Sequence, residues 1–230
     1  MHIPDGFLSG EAAAVGWVVG GSGIALCLRE VGLDDNERKL PVAGLAAAFF
    51  LVADSPLVPL TIGTDGHLLG GTLAMALLGP WLGAVTMAVV TAIQALALGD
   101  GGITTFGLNM VNLALIPAFV GYPLILLLRR LLPSTRIALA GACGFAAFVS
   151  VVVASTVFVS EVSLAAVVRV HPATLAKTMF GTYTVVGVLE AALTTLVVRA
   201  LLEVRPDLVS VATPLHRRRR VPVSELDRAA

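Results

Sequence analysis

The sequence predicts an all-α polytopic membrane protein of about seven transmembrane helices, N-terminus outside and C-terminus inside. Three observations carry that prediction. Of 230 residues, 57% are hydrophobic and 13% charged, with a mean hydropathy of +0.93, whereas a soluble domain is about 25% charged. The apolar residues gather into long runs broken by charge or by Gly and Pro, as expected where backbone groups facing lipid must be bonded within their own helix. The basic residues are spread unequally among the breaks.

The first run, about Glu11 to Leu28, carries Gly16 and Gly20, a small-xxx-small pair suited to close helix packing. A polar stretch from Arg29 to Leu40 separates it from the second, about Pro41 to Leu57, where Ala43 and Ala47 share a face and Asp54, Pro56 and Pro59 end the helix. Two shorter segments follow, Gly66 to Leu78 and Trp81 to Leu98, divided by Gly79-Pro80. The earlier of them is too short to cross unless it is extended, tilted or re-entrant. After the turn Gly99-Asp100-Gly101-Gly102 come a fifth run, Gly107 to Leu128, and a sixth, Ile137 to Val159. An amphipathic connection, Ser160 to Lys177, leads to the seventh, Met179 to Leu202. Residues 1–203 thus read as one transmembrane domain headed by the segment 1–10, and residues 204–230, with Arg217-Arg218-Arg219-Arg220, as a basic, flexible cytoplasmic tail. No internal repeat is visible.

With the N-terminus outside, the inner loops and tail collect Arg29, Arg38, Lys39, Arg129, Arg130, Arg136, Arg199, Arg205, Arg217 to Arg220 and Arg228, which is thirteen of the fifteen Lys and Arg. Only Arg169 and Lys177 fall outside, so the positive-inside rule sets an odd number of spans and a multi-pass protein of the plasma membrane. The zero formal net charge gives no reason to expect a nucleic-acid partner. Cys27 and Cys143 lie in apolar stretches without ligand spacing and are expected to pack. The first residues lack a basic n-region and a cleavage site, so the segment is expected to remain in the mature protein.

That segment begins Met1-His2-Ile3-Pro4-Asp5-Gly6-Phe7-Leu8. A histidine near a terminus is on its own more often solvated and idle. Here the α-amino group, the backbone nitrogen of His2 and its imidazole can close a five-membered and a six-membered chelate ring on one ion, and such tetragonal nitrogen sets suit Ni(II) or Cu(II). The bulk of His2 also disfavours removal of Met1, which leaves the amine available. A fourth donor must come from elsewhere. The same topology puts Thr61-Ile62-Gly63-Thr64-Asp65-Gly66-His67 on the outer side, so His67 is a candidate ligand, with Asp65 placed either to orient its ring or to complement the dipole at a helix start. Asn109 and Asn112 open the fifth run on one helical face, where they serve either as glue between helices or, the preferred reading, as outer residues that hold the histidines and the N-terminal segment. Glu161 and His171 are expected to be solvated in the last outer loop, and Glu190, deep in the seventh run, requires a partner that the sequence does not name. There is no phosphate-binding loop, HExxH or GxSxG, so the chain is not expected to be an enzyme or to drive ATP hydrolysis by itself.

Together with Gly63-Thr64-Asp65-Gly66-His67-Leu68-Leu69-Gly70-Gly71, Leu78-Gly79-Pro80-Trp81 and Gly101-Gly102-Ile103-Thr104-Thr105-Phe106-Gly107-Leu108-Asn109-Met110-Val111-Asn112, the opening residues resemble the CbiM/NikM family, the substrate-binding membrane components of energy-coupling factor transporters for cobalt and nickel. The motifs cover the chain from Met1 to about Tyr122. The resemblance implies a seven-helix capture subunit with its N-terminal segment inserted in the bundle. It also implies Ni(II) or Co(II) as the transported substrate, held by Met1, His2 and His67, with no organic cofactor. Implied partners are a transmembrane coupling protein, two cytoplasmic ATPase subunits and a small auxiliary membrane subunit. The chain departs from the family pattern at Asp54 to Leu60, at Asp65 and at Asn112-Leu113-Ala114, all outside the four nitrogens. Alternatives are an intramembrane metalloenzyme built on His2 and His67, with Asp5 or Asp65 as base, and a vitamin-binding component, which the 6% aromatic content disfavours.

Overall fold

The computed structural model describes residues 1–31, 39–55, 58–59 and 65–212, with Val58, Pro59 and Asp65 described as backbone. The described chain is helical apart from one two-residue strand pair. Its helices are α1 Gly10–Glu30, α2 Leu40–Ala53, α3 Gly71–Leu78, α4 Pro80–Leu98, α5 Phe106–Leu131, α6 Arg136–Ala165 and α7 Pro172–Val204. Among the described residues, α1, α4, α5, α6 and α7 are long and apolar enough to cross a membrane. The apolar α2 has 14 residues and α3 has 8, both short of a span.

Local sequence accounts for the ends of these helices. Ser9 caps α1, its side chain accepting from the Ala12 amide, and Thr135 caps α6 in the same way through Ala138. Pro80 starts α4 directly after Gly79, whose φ of +85° is open to glycine. The last turn of α4, Gln94–Leu98, and two turns of α5, Val111–Leu115 and Pro117–Gly121, widen to π geometry. Pro117 has no N–H for the regular ladder, which gives one of those turns its cause.

Glycines set the helix contacts that position the site. A Cβ on Gly20 would fall 2.1 Å from the Gly107 carbonyl oxygen, and one on Gly107 would fall 2.2 Å from that of Gly16. The predicted small-residue pair is therefore the face on which α1 lies against α5. Gly71 meets Pro117 and Gly121 meets Thr72, which holds α3 on the other flank of α5, and Gly144 lets α6 approach Thr195 and Ala191 on α7. Nearly all of α3 is buried, as befits a helix that is apolar all round at the centre of a bundle. Ala43, read as one of two small residues on α2, packs in the same core as Phe50 and Leu73.

Several boundaries differ from the sequence reading: α2 ends at Ala53, before the expected Leu57, and α3 begins at Gly71, after the expected Gly66. α6 continues to Ala165 and α7 begins at Pro172, so the connection is residues 166–171 and Glu161 is helical and half-buried, whereas a solvated loop was expected. Glu161 is held in the helix by a partner, Asn112, that is remote in sequence. The stretch expected to open the tail at 204 is packed as far as Ala212: Val209, Val211 and Ala212 are buried, and Arg129 donates to the Val211 carbonyl at 2.7 Å. The Asp65 side chain, Arg38, Thr61 to Thr64, His216, Arg217 to Arg220 and Arg228 lie outside the described residues.

Replacing Gly20 by Val places a branched side chain where no space exists, and overpacking of this kind costs about 1–3 kcal/mol. The G20V protein is expected to unfold at a lower temperature in detergent than wild type, whereas G21V, at an open position, leaves it unchanged.

Candidate metal centre

Residues 1–9 enter the bundle and leave Met1, His2 and Ile3 at 0%, 2% and 0% exposure. The Met1 and Ile3 side chains join a core of Leu69, Leu113, Phe158, Met179 and Tyr183, each burial being worth about 1.5–3 kcal/mol. Polar contacts hold the segment on both sides. Asn109 accepts from the Ile3 amide at 2.8 Å through Oδ1 and donates to the Ile3 carbonyl at 3.2 Å through Nδ2, so its carboxamide acts as the edge of a neighbouring strand. The same carbonyl accepts from the Gly102 amide at 2.9 Å and from the Thr105 hydroxyl at 2.5 Å. Asp5 accepts from the Thr104 hydroxyl and from the amides of Thr104 and Ile103, and these bonds, led by the hydroxyl, keep its carboxyl below the usual range. Those bonds make Asp5 a strap, not the free base that the metalloenzyme reading requires. On the far flank Val167 donates to the Phe7 carbonyl and Ser9 donates to that of Ala165.

The second half of the site descends from the α2–α3 connection. β1 (Val58–Pro59) pairs antiparallel with β2 (Asp65–Gly66), which turns the chain so that His67 points inward at 3% exposure. His67 Nδ1 lies 2.5 Å from the Leu68 carbonyl oxygen. A carbonyl only accepts, so Nδ1 carries the proton and Nε2 presents its lone pair. That lone pair faces the Met1 nitrogen at 2.5 Å and His2 Nδ1 at 3.0 Å, and the two rings stack with centroids 4.9 Å apart. Asp100 Oδ1 stands 3.1 Å from His2 Nδ1, and ligand atoms of His2, His67 and Asp100 all lie within 4.8 Å of one another.

Electrostatics favour neutral donors. Burial lowers the pKa of His2, with Asp100 opposing, and lowers that of His67 well below 6.5, reinforced by the nearby terminal amine and His2. For Asp100, burial favours the neutral acid, but the His2 hydrogen bond and the cationic neighbours overcome it and bring the carboxyl to about 2. Burial therefore disposes both imidazoles to be neutral beside one carboxylate.

Of the outer residues expected from sequence, Asn109 holds the N-terminal segment, whereas Asn112 donates at 2.7 Å to Glu161 on α6. Sequence reading missed Asp100 and Gln94. Gln94 touches His2 and donates to Asp54 at 3.3 Å, and both are buried. A lone Gln inside an apolar run was the available signal, since polar groups within a membrane span are seldom idle. Glu190 accepts from the amides of Leu69 and Gly70, which answers its need for a partner.

A family model described as "cobalt uptake substrate-specific transmembrane region" matches residues 2–208. A relative named for metal transport in Haloquadratum walsbyi is 33% identical over 91% of this chain and 93% of its own length. The fused nickel transport protein NikMN of Rhodobacter capsulatus is 39% identical over 52% of this chain, which spans 35% of that longer protein. Among solved structures, a transition metal transporter superposes with a TM-score of 0.81 at 28% identity, covering 96% of this chain and 100% of that one.

Two outcomes follow for the N-terminal strap. Asn109→Ala leaves the buried Ile3 amide without its acceptor, a loss of about 1–3 kcal/mol, and faster hydrogen exchange at Ile3 is the expected reading. For metal-free protein, His2 and His67 add no pH dependence to docking well above 6.5, where both docked and released forms are neutral. Below 6.5 the released segment takes up protons that the docked one resists, so docking weakens as pH falls. Exchange corrected for its intrinsic pH dependence reads that loss.

Proposed function

This chain belongs to the CbiM family of cobalt uptake substrate-specific transmembrane regions, and from that premise we propose that its buried nitrogen cluster is the place where the transported ion is held. It is a membrane component of cobalt or nickel uptake. The ion, Ni(II) or Co(II), is bound by the Met1 amine, the deprotonated His2 amide, His2 Nδ1 and His67 Nε2.

One observation carries this reading, the pair of short edges that meet at His67 Nε2, 2.5 Å to Met1 N and 3.0 Å to His2 Nδ1. With metal–nitrogen bonds of about 2.0 Å, adjacent donors at right angles stand about 2.8 Å apart, and tetrahedral donors about 3.3 Å. The two edges straddle the first value. In the planar arrangement His67 is adjacent to the amine and to Nδ1 and lies opposite the amide, and Nδ1 is the imidazole nitrogen that closes a six-membered ring with that amide. Burying a divalent charge requires compensation. The amide anion and the Asp100 carboxylate supply two negative charges. Gln94, oriented by Asp54, steadies the His2 ring, and Asn109 steadies Ile3 behind it.

The distribution of basic residues orients the site outward in a seven-helix, N-out, C-in arrangement in the plasma membrane, so the ion arrives from outside. The sequence carries no ATP-binding motif, and the energy for inward release comes from other subunits. These are a transmembrane coupling protein and two cytoplasmic ATPases, with a small auxiliary membrane subunit. Nickel and cobalt share this donor set.

Adding one residue before Met1 converts the amine to an amide and removes a donor. Isothermal titration with Ni(II) is expected to show a loss exceeding the roughly 10–100-fold typical of an outer residue. Unchanged affinity would refute the chelate. Binding to the unextended protein is expected to strengthen as pH rises, because ion and protons compete for the same nitrogens.

A further inference from the structure

Glu190 sits near the middle of α7, 1% exposed, and its carboxyl reaches out of its own helix to another part of the chain. One oxygen, Oε1, accepts from two successive backbone amides, those of Leu69 and Gly70, the latter at 2.8 Å. These amides belong to the turn that follows His67 and opens α3. Gly70 takes a φ of +66° there, and a Cβ would strike the Phe50 ring at 2.4 Å, so the turn has little freedom of its own. Leu69 is buried on the same side. Two converging N–H groups at a helix start form a ready anion cradle, and in this fold a side chain from α7 fills it.

The consequence concerns the fourth nitrogen. Met1 and His2 supply three donors from adjacent residues, which covalent bonds keep within chelating reach of one another. His67 arrives independently, so its placement depends on the loop that carries it. The Leu68 carbonyl sets its tautomer, but that carbonyl belongs to the same loop and cannot locate it relative to the bundle. Beside the packing of Leu69 and Gly70, the hydrogen bonds from these amides to Glu190 tie the loop to α7. We propose that Glu190 is a positioning residue, which ties the His67 loop to α7 and thereby holds His67 Nε2 at the fourth corner of the metal square. The inference rests on the four-nitrogen reading above.

Reach, not charge, is the property that matters, and two conservative variants separate the two. E190Q keeps an oxygen at the same distance and loses the charge. E190D keeps the charge and withdraws the oxygen by about 1.5 Å. Full-length protein in detergent would be titrated with Ni(II), and the ligand-field absorption of the bound ion recorded with H67A in parallel. H67A should shift that band to lower energy, as a weaker donor replaces imidazole, and added imidazole should restore it. E190D should show the same shift and the same rescue, with affinity lowered roughly 10–100-fold. E190Q should keep the wild-type band and lose roughly tenfold at most.

The opposite order of the two variants would overturn the positioning role in favour of a charge effect. A wild-type band and affinity in E190D would overturn it outright, as would a shift that imidazole does not restore. An unshifted band in H67A would instead remove the four-nitrogen premise, and the inference with it.

Discussion

The proposed metal centre requires buried nitrogens that stay uncharged and aimed at one point, and the packing around residues 1–3 and His67 depends on that constraint. A buried polar group without a partner costs more than a paired one returns. The molecule therefore gives partners to the backbone beside the donors and to the second ring nitrogen of His67. The Ile3 carbonyl shows how far this goes: an amide, a hydroxyl and a carboxamide converge on it from residues 102, 105 and 109. Pinning the third residue so firmly leaves the first two little room to stray.

The helices bring these groups together through close contacts that larger residues would prevent. Gly16 and Gly20 let α1 lie on Gly107, which puts the start of α5, and with it Thr105 and Asn109, beside the segment that precedes α1. Gly71 and Gly121 seat α3 against α5, so the His67 turn enters above the centre of the bundle. Asp100 follows from the glycine turn between α4 and α5: Gly101, at φ +99°, approaches His2 so closely that a Cβ would come within 2.9 Å of its ring.

Much of the site was legible because its chemistry is written in residue types that are rare in such a chain. His2 and His67 are two of four histidines, and Asn109 is a carboxamide at a span end. The chelate argument needed only the order of the first two residues. Less was legible where a residue has a common alternative. Asp100 read as part of a glycine-rich turn, and Gln94 was lost within an apolar run. Glu161 read as a solvated loop residue, because a charge usually is one; its pairing with Asn112 across helices keeps it half-buried. The sequence read residues 204–212 as tail, whereas their apolar members and the Arg129 contact pack them against the bundle.

Sequence alone determined the helical class, the apolar runs, the small-residue face of α1 and the adjacency of the Met1 amine and the His2 nitrogens. Each of these is local or periodic, and periodicity is what a one-dimensional string preserves. Tertiary structure decided which distant groups complete the centre. Glu190 lies 121 residues from Leu69 and Asn109 lies 106 from Ile3. No spacing rule joins positions so far apart; only the glycine-set distances between helices bring Glu190 to the His67 turn and Asn109 to the terminus, and those distances exist once the bundle has closed.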